Sequence, residues 1–446
     1  MADAAAAHAA KRESLRESLM QGAGPVALAK DTSNLFRDRE AGKRRRLDVR
    51  SFNQVLRVSD GWVEAEGMTP YEDLTRECLA HGVMPAVVPQ LKTITLGGAV
   101  AGVGIESSSH RCGLVHDTML ELDVLLGDGR VVSCTPGNEH AELFFGFPNS
   151  YGTLGYALRV KAKTIPVKPY VRLAHLGFSS ANEYFAALQA HLEEREADFI
   201  DGTIFSPGRL FITLGQFVDS APYASDYTFE KIYYRSIAEK REDYLTVHDY
   251  IWRWDTDWFW CSKNVFAQNP LMRRFVYGRN RLGSRTYTKI MRWNSRVGAT
   301  RKLERVLGLH SESVIQDVDI PIARAAEFLE FYASEIGLWP QWICPIGPQM
   351  HSGRFVLYPV KNTWYVNFGF WDVKRTREAH RRGHFNRLIE EKVSELGGIK
   401  SLYSDSFFSE ADFDARYGGA AYDTLKKKYD PSSAFPRLYE KCVLRA

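Results

Sequence analysis

The stretch "TLGGAVAGVGIESSSH", residues 95–110, sets Gly97, Gly98, Gly102 and Gly104 within ten positions and then runs into Glu106, three serines and His110. Glycine loses more backbone entropy on folding than any other residue, so a run this dense implies that the backbone passes very close to something. One candidate is an anion: N–H groups reach phosphate oxygens where no Cβ intervenes, and the hydroxyls that follow add donors. The other is a tight β-corner that needs glycine for packing alone. The stretch is not a Walker loop, because no Gly-Lys-Ser/Thr follows. Nor is it the strand–GxGxxG–helix unit with a later acidic residue that a Rossmann site requires.

Neighbouring turns favour the anion. "LAKDTSNLFR" (28–37) offers Thr32, Ser33 and Asn34, and "VVPQLKTITLGG" (87–98) places Gln90 and Thr95 just ahead of the glycines. "NSYGTLGYALRV" (149–160) supplies a further turn at Gly152, Thr153 and Gly155. Three such turns in one N-terminal region point to one large phosphorylated ligand.

Around them the chain reads as short strands and turns with helices between. Residues 50–89 give a strand, a turn at Asp60-Gly61, a second strand, and a helix opened by Thr69 with Pro70 at its first position, stopping at Gly82. "MLELDVLLGDGRVVSCTP" (119–136) reads as a hairpin closed by Gly127-Asp128-Gly129. Pro166 to Pro169 marks a boundary, beyond which aromatic-rich helical and strand stretches follow, such as "ANEYFAALQAHLEER" (181–195).

At 446 residues the chain is too long for one core, so two domains are expected, and 45% apolar with 25% charged residues is ordinary for a soluble globular protein. A net charge of +4 is too small to argue for nucleic acid. Six cysteines without CxxC pairs or metal-ligand spacing read as reduced thiols of a cytosolic protein. The alanine-rich, then charged start reads as a solvated, fraying helix rather than a signal peptide, and no run of 18 apolar residues exists to span a membrane.

Three charged or aromatic features remain. His380 and His384 in "EAHRRGHF" are spaced like helical metal ligands, but no acidic residue completes the set and the arginines would repel a cation, so a solvated basic helix face is expected and no metal centre. "GKRRRLDVR" (42–50) suits a nucleic acid or nicotinamide phosphate, although such runs are usually surface. Residues 251–300 hold Trp252, Trp254, Trp258, Trp260 and Trp293 with ten Lys/Arg against Asp255 and Asp257. That mixture suits either a membrane interface, where it would admit a lipid, or a packed core.

The order of turns resembles the FAD-binding domain of the vanillyl-alcohol-oxidase (PCMH) flavoprotein superfamily. More narrowly, "VVPQLKTITLGGAVAGVGIESSSHRCGL", "LGDGRVVSCTP", "YGTLGYALRVKAKTIPVKPYVRL", "WPQWICP", "LYSDSFFSEADF" and "SSAFPRLYEK" are similar to the delta-24-sterol reductase group and its bacterial relatives that reduce a methylene branch on a fatty acyl chain. The resemblance implies an α+β fold: an N-terminal extension (1–24), a two-subdomain PCMH-type FAD-binding domain (25–170), an antiparallel-sheet cap (171–390) and a C-terminal return (391–446). It places Thr32, Ser33 and Asn34 in a first phosphate loop, and Gln90, Thr95, Gly97 and Gly98 along the diphosphate with Gly102 also against the cofactor. Glu106, Ser107 and Ser108 fall near the flavin, and Gly155 and Tyr156 on the adenosine side. The loop "KDTSNLF" lacks the histidine through which many relatives bind FAD covalently, which implies dissociable FAD. Ser404 stands before Asp405 where alcohol-oxidising members carry lysine, which fits a reductase better than an oxidase.

An isolated C=C bond has no carbonyl to polarise it, so its reduction by hydride needs an acid beside the flavin and a dry pocket. Glu106, Tyr403, Asp405 and His110 are the polar candidates, each with a purely structural alternative. The resemblance further implies NADPH as an electron donor, a lipid substrate, a partner methyltransferase or electron-donor protein, and a cytoplasmic protein peripheral to the inner face of a membrane. An FAD oxidase or dehydrogenase of an alcohol or sugar, and a lipid-binding flavoprotein without turnover, are the competing readings.

Overall fold

The computed structural model describes residues 2–22, 24–31, 36–37, 44–297 and 308–445. Strands β1 (Val26–Ala29) and β2 (Arg45–Asp48) form a small parallel pair. Next come β3 (Val55–Ser59), β4 (Trp62–Glu66), β5 (Val83–Pro85), β6 (Met119–Leu125), β7 (Val131–Cys134) and β8 (Tyr156–Pro166). They build one antiparallel sheet in the order β3-β4-β8-β6-β7, with β5 also on β8. Apolar and polar residues alternate along β8, and the sheet buries Tyr156, Leu158, Val160, Ala162 and Thr164 from its central strand.

The turns follow the local chemistry closely. Gly61 (φ +77°) joins β3 to β4, and Gly129 (φ +82°) lies in the turn from β6 to β7. The helix after β4 covers Tyr71–Leu79 and gives way to Gly82 at φ +73°. Its cap is Pro70 rather than Thr69, because the Thr69 hydroxyl donates instead to the Gln54 carbonyl at 3.1 Å.

A second antiparallel sheet has eight strands: β9 (Tyr170–Phe178), β10 (Phe199–Ser206), β11 (Arg209–Val218), β12 (Glu242–Thr246), β13 (His310–Pro321), β14 (Gln341–Ile346), β15 (Tyr365–Thr376) and β16 (Ile399–Lys400). Their order is β12-β9-β11-β10-β14-β15-β13-β16, so the chain beyond residue 391 first adds an edge strand to this sheet. Helices Ala181–Glu194, Ala325–Phe331 and His384–Glu395 cover one face. Tyr184, Leu188, Phe328 and Ile389 pack there on Val314, Val318, Ile343 and Phe368. Later residues return to the first sheet, where Lys426 Nζ donates to the Thr153 carbonyl at 2.7 Å. The architecture is α+β, with two antiparallel sheets and helices packed on them.

Several expectations change. The N-terminal helix, Ala2–Met20, is docked rather than merely solvated: Leu15 and Leu19 join a cluster with Leu47, Phe52 and Leu158. His8 Nδ1 (2.8 Å) and Lys11 Nζ (2.9 Å) meet the fully buried Glu66. Of the tryptophans in 251–300, Trp252, Trp254, Trp258 and Trp260 are core residues and only Trp293 is exposed, which removes most of them from any lipid interface. His380 precedes the helix that begins at His384, and their rings stack at 4.4 Å off any shared helix face. All six cysteines are free, and among the described residues no helix is long and apolar enough to cross a membrane.

Burial favours the protonated form of Glu66, but bonds from His8, Lys11 and the Gln54 amide outweigh it and hold the carboxyl below its ordinary value. The His8→Ala/Lys11→Ala double variant should therefore lose about 2 kcal/mol of stability at pH 7. A depressed pKa stabilises above the ordinary carboxyl range and loses that effect as pH falls. The deficit in thermal unfolding should accordingly shrink below pH 4 or so.

Candidate active site

The uncovered face of the eight-stranded sheet and the glycine turns of the first enclose a cavity of about 730 Å³. Its position follows from strand periodicity. Along β13, Val314, Gln316 and Val318 point into the helix-covered core, so Ser313, Ile315 and Asp317 face the cavity. Trp342 of β14 and Trp371 of β15 do the same, and Trp258, Phe259 and Met291 extend this apolar wall.

The opposite wall answers the question raised by the glycines. Packing accounts for glycine at some positions and not at others. Gly97 lies against another backbone: an added Cβ would stand 2.8 Å from the Gly67 carbonyl oxygen and 3.1 Å from Ala157 Cβ. At Gly98 the nearest obstacle is only the Thr95 hydroxyl, which accepts from the Gly98 amide at 3.3 Å as the cap of helix Leu96–Gly102. Gly102 lies under the Tyr151 ring. Gly155, at φ +138°, would drive a Cβ to 2.7 Å from the Leu125 carbonyl. Gln90, Thr95, Gly97, Gly98, Gly102, Gly155 and Tyr156 all line the one cavity. Thr32, Ser33 and Asn34 lie outside the described residues.

Glu106 and Ser107 sit behind this wall rather than on it. Arg253 Nη2 bridges Glu106 Oε1 (3.0 Å) and Asp201 Oδ2 (2.8 Å), all three groups being buried. Ser107 Oγ donates to Glu106 at 2.5 Å and contacts the Tyr250 hydroxyl at 2.8 Å, while Trp342 Nε1 donates to Asp201 at 3.1 Å. Burial raises the Glu106 carboxyl, and Arg253 works against that. Gln90 donates to Glu106 and leaves its own Oε1 enclosed without a partner. Ser108 is occupied with the Ala86 carbonyl at 2.6 Å. His110 has a carbonyl oxygen at each ring nitrogen, Ser107 at 2.9 Å and Ala197 at 3.2 Å, and burial pushes it down to about 4, so it is neutral. Asp405 pairs with Arg445 at 3.3 Å. Ser108, His110 and Asp405 do not line the cavity.

Tyr403 does line it, and brings with it a residue the sequence reading did not single out. The Tyr403 hydroxyl accepts from Trp371 Nε1 at 2.8 Å and lies near enough to the Asp317 carboxyl to lower its pKa. Asp317 Oδ1 is enclosed without a partner of its own. Burial pushes the Asp317 carboxyl up to about 8; Tyr403 opposes this and the Asp319 charge adds to it. Asp317 thus holds its proton at neutral pH, facing an apolar wall. The signal was present: Asp317 and Asp319 stand two apart on one face of β13, between Val314, Ile315, Val318 and Ile320, with Asp319 satisfied by Tyr358 (2.7 Å) and Asn367 (2.7 Å).

Cationic side chains were missed as well. Arg37 is buried, with Nη1 on the Leu402 carbonyl (2.6 Å) and its guanidinium over the Tyr151 ring at 4.7 Å. Its Nε and Nη2 are enclosed without a partner at the cavity edge. The basic run at 42–50 is only partly surface: Arg44 and Arg46 line the cavity, and Arg45 binds the carbonyls of Leu19 (2.6 Å) and Gly22 (3.0 Å). Among the described residues no His/Cys/Asp/Glu cluster could hold a metal ion. Backbone laid open by glycine, a guanidinium with unmet donors and a long apolar wall fit a dinucleotide diphosphate that carries a flat aromatic ring.

The comparisons agree with that fit. Residues 24–135 match the FAD binding domain family. Over 411 residues the chain is 27% identical to the Delta(24)-sterol reductase of Homo sapiens, covering 89% of this chain and 75% of that protein. The Delta(24)-sterol reductase of Pisum sativum is 23% identical over 456 residues, covering 89% and 76%. Cytokinin dehydrogenase 7 of Oryza sativa subsp. japonica is 27% identical over 168 residues, covering 37% and 31%. Domain match, length of similarity and cavity chemistry converge: residues 24–135 carry a PCMH-type FAD-binding domain, and the chain is a flavoprotein similar over most of its length to delta(24)-sterol reductases, which supports an FAD-dependent oxidoreductase.

Proposed function

We propose that the protein reduces an isolated C=C bond in a lipid, either the methylene branch of a fatty acyl chain or the side-chain double bond of a delta-24 sterol. The observation that carries this reading is the pair Asp317 and Tyr403, a carboxylic acid that keeps its proton and a phenol beside it in the cavity lining, set against Ile315, Trp342 and Trp371. Reduced FAD, once bound, supplies a hydride to one carbon. Asp317, directly or through the Tyr403 hydroxyl, delivers a proton to the other, so the C=C bond becomes CH–CH and Asp317 is left as a carboxylate to be reprotonated from solvent. Trp371 fixes the Tyr403 oxygen as an acceptor and leaves its hydrogen for Asp317 or substrate. The apolar wall excludes water, which keeps the acid undissociated until a substrate carbon takes the proton.

The glycines, Thr95, Gln90 and the free face of Arg37 are the proposed holders of the FAD diphosphate, with Gly155 and Tyr156 beside the adenosine. Thr32, Ser33 and Asn34 are kept as a first phosphate loop from the sequence alone. FAD is proposed to be dissociable, which is supported by the absence of His110 and Cys112 from the cavity lining. Residues 25–170 with the C-terminal return from 391 are proposed as the FAD-binding unit and 171–390 as the cap. NADPH is the proposed electron donor, with an electron-transfer protein as its substitute and a methyltransferase as the source of a methylene branch. The site of action is proposed to be the cytoplasmic face of a membrane.

The test is anaerobic: reduce the flavin, then add methylene-branched acyl phospholipid or, separately, a delta-24 sterol. Reoxidation by one lipid, with its saturated product in the mass spectrum, is expected; no reoxidation by either, with rapid reaction toward oxygen, would favour the oxidase. Asp317→Asn should slow lipid-driven reoxidation about 100-fold or more, with flavin content and spectrum unchanged. Because the protonated form acts, the rate should fall as pH rises through about 8. In Asp317→Asn that limb should vanish, and Asp317→Glu should restore part of the rate. Gly97→Val, which collides with the Gly67 carbonyl, should give colourless protein by the ratio of flavin to protein absorbance. Gly137→Ala, with open space around it, should stay yellow.

A further inference from the structure

Of the eleven large apolar side chains exposed among the described residues, seven lie between Phe266 and Trp293, so they form a local feature rather than scattered surface. Phe275 is 77% exposed, Phe266 71%, Leu271 68% and Trp293 59%. The same stretch, residues 261–293, contains eight Lys/Arg and no Asp or Glu, although Lys263, Arg273, Arg274, Arg279 and Arg285 face Asp372, Asp257, Glu230, Asp226 and Glu72 from other segments. Arg274, Arg281 and Lys289 are exposed among the apolar residues.

The local framework explains why these side chains face outward. Arg273 is buried on Asp257 (2.6 and 3.0 Å), and the wide turn closed by the Gly278 amide on the Arg273 carbonyl throws Arg274, Phe275 and Val276 to the outside. Tyr277 reaches back to the Val265 carbonyl at 2.7 Å. Phe266 holds the left-handed region at φ +58°, uncommon for a bulky residue, without burying its ring. Val265 and Met291 belong both to this stretch and to the cavity lining, so the outer patch runs into the cavity mouth.

We infer that this surface docks onto a bilayer containing anionic phospholipid and that lipids enter the cavity through it. Apolar and aromatic side chains ringed by cations suit the headgroup boundary, where the rings enter the acyl region and the cations meet phosphate. A second copy of this chain is a poorer occupant, since two such surfaces would bring like charges together. The inference extends the lipid reading of the cavity, and its test is read without turnover so that the two fail separately.

The flavin-loaded full chain is floated with vesicles of phosphatidylcholine alone and with 30% phosphatidylglycerol. Flotation with the anionic vesicles is expected, weakening several-fold between 0.1 and 0.5 M salt. Phe266→Asp/Phe275→Asp and Arg274→Glu/Arg281→Glu should each bind at least about ten-fold more weakly. Met350→Asp, at a residue 90% exposed outside the patch, should bind like the parent. The inference is overturned if the parent stays unbound on anionic vesicles, or if the patch variants bind as well as it does. It is also overturned if size measurement finds a dimer that the Phe variants split, which would assign the patch to a second copy. Normal docking with no turnover of either lipid would overturn the lipid reading alone.

Discussion

Arg253 lies out of solvent between Glu106 and Asp201, and the placement of the cavity walls depends on that contact. Glu106 follows the glycine stretch, Asp201 belongs to the eight-stranded sheet, and Arg253 comes from the aromatic segment that packs between them. Losing any one partner would leave a buried charge uncompensated, a far larger penalty than a surface pair carries. Through Gln90 on one side and Trp342 on the other, the triad sets the distance between the glycine wall and the tryptophan wall.

The second constraint is the two-residue period of β13 to β15. One row of each strand is committed to the helix-covered core, so the other has no choice but to face the cavity. A carboxylate on that row meets tryptophan rather than water, and its altered acidity follows from its address. Asp319, on the same face, avoids that outcome only in part because Tyr358 and Asn367 satisfy it.

What the sequence made legible was local. The turn at 152–155, the hairpins around Gly61 and Gly129 and the helix after Pro70 rest on short-range chemistry and are found within a residue or so, whereas the glycine run expected as a turn folds as helix Leu96–Gly102. Contacts between distant segments were not legible. Asp317 becomes an acid only where the packed walls bury it, Arg37 a donor only beneath Tyr151, and the N-terminal helix a docked element only because Glu66 waits for Lys11. The tryptophans stayed ambiguous for the same reason, since periodicity cannot say whether an aromatic face meets lipid or Tyr233 and Trp371.

The proton held on Asp317 also gives the cavity a preferred direction. Running the proposed chemistry backwards, as a desaturase, would call for the ionised carboxylate to collect a proton from carbon. With the acid titrating near 8, only about a tenth of the molecules hold that form at pH 7. Burial that loads the site for saturation therefore starves the reverse passage of its base, and the asymmetry is written into one strand position.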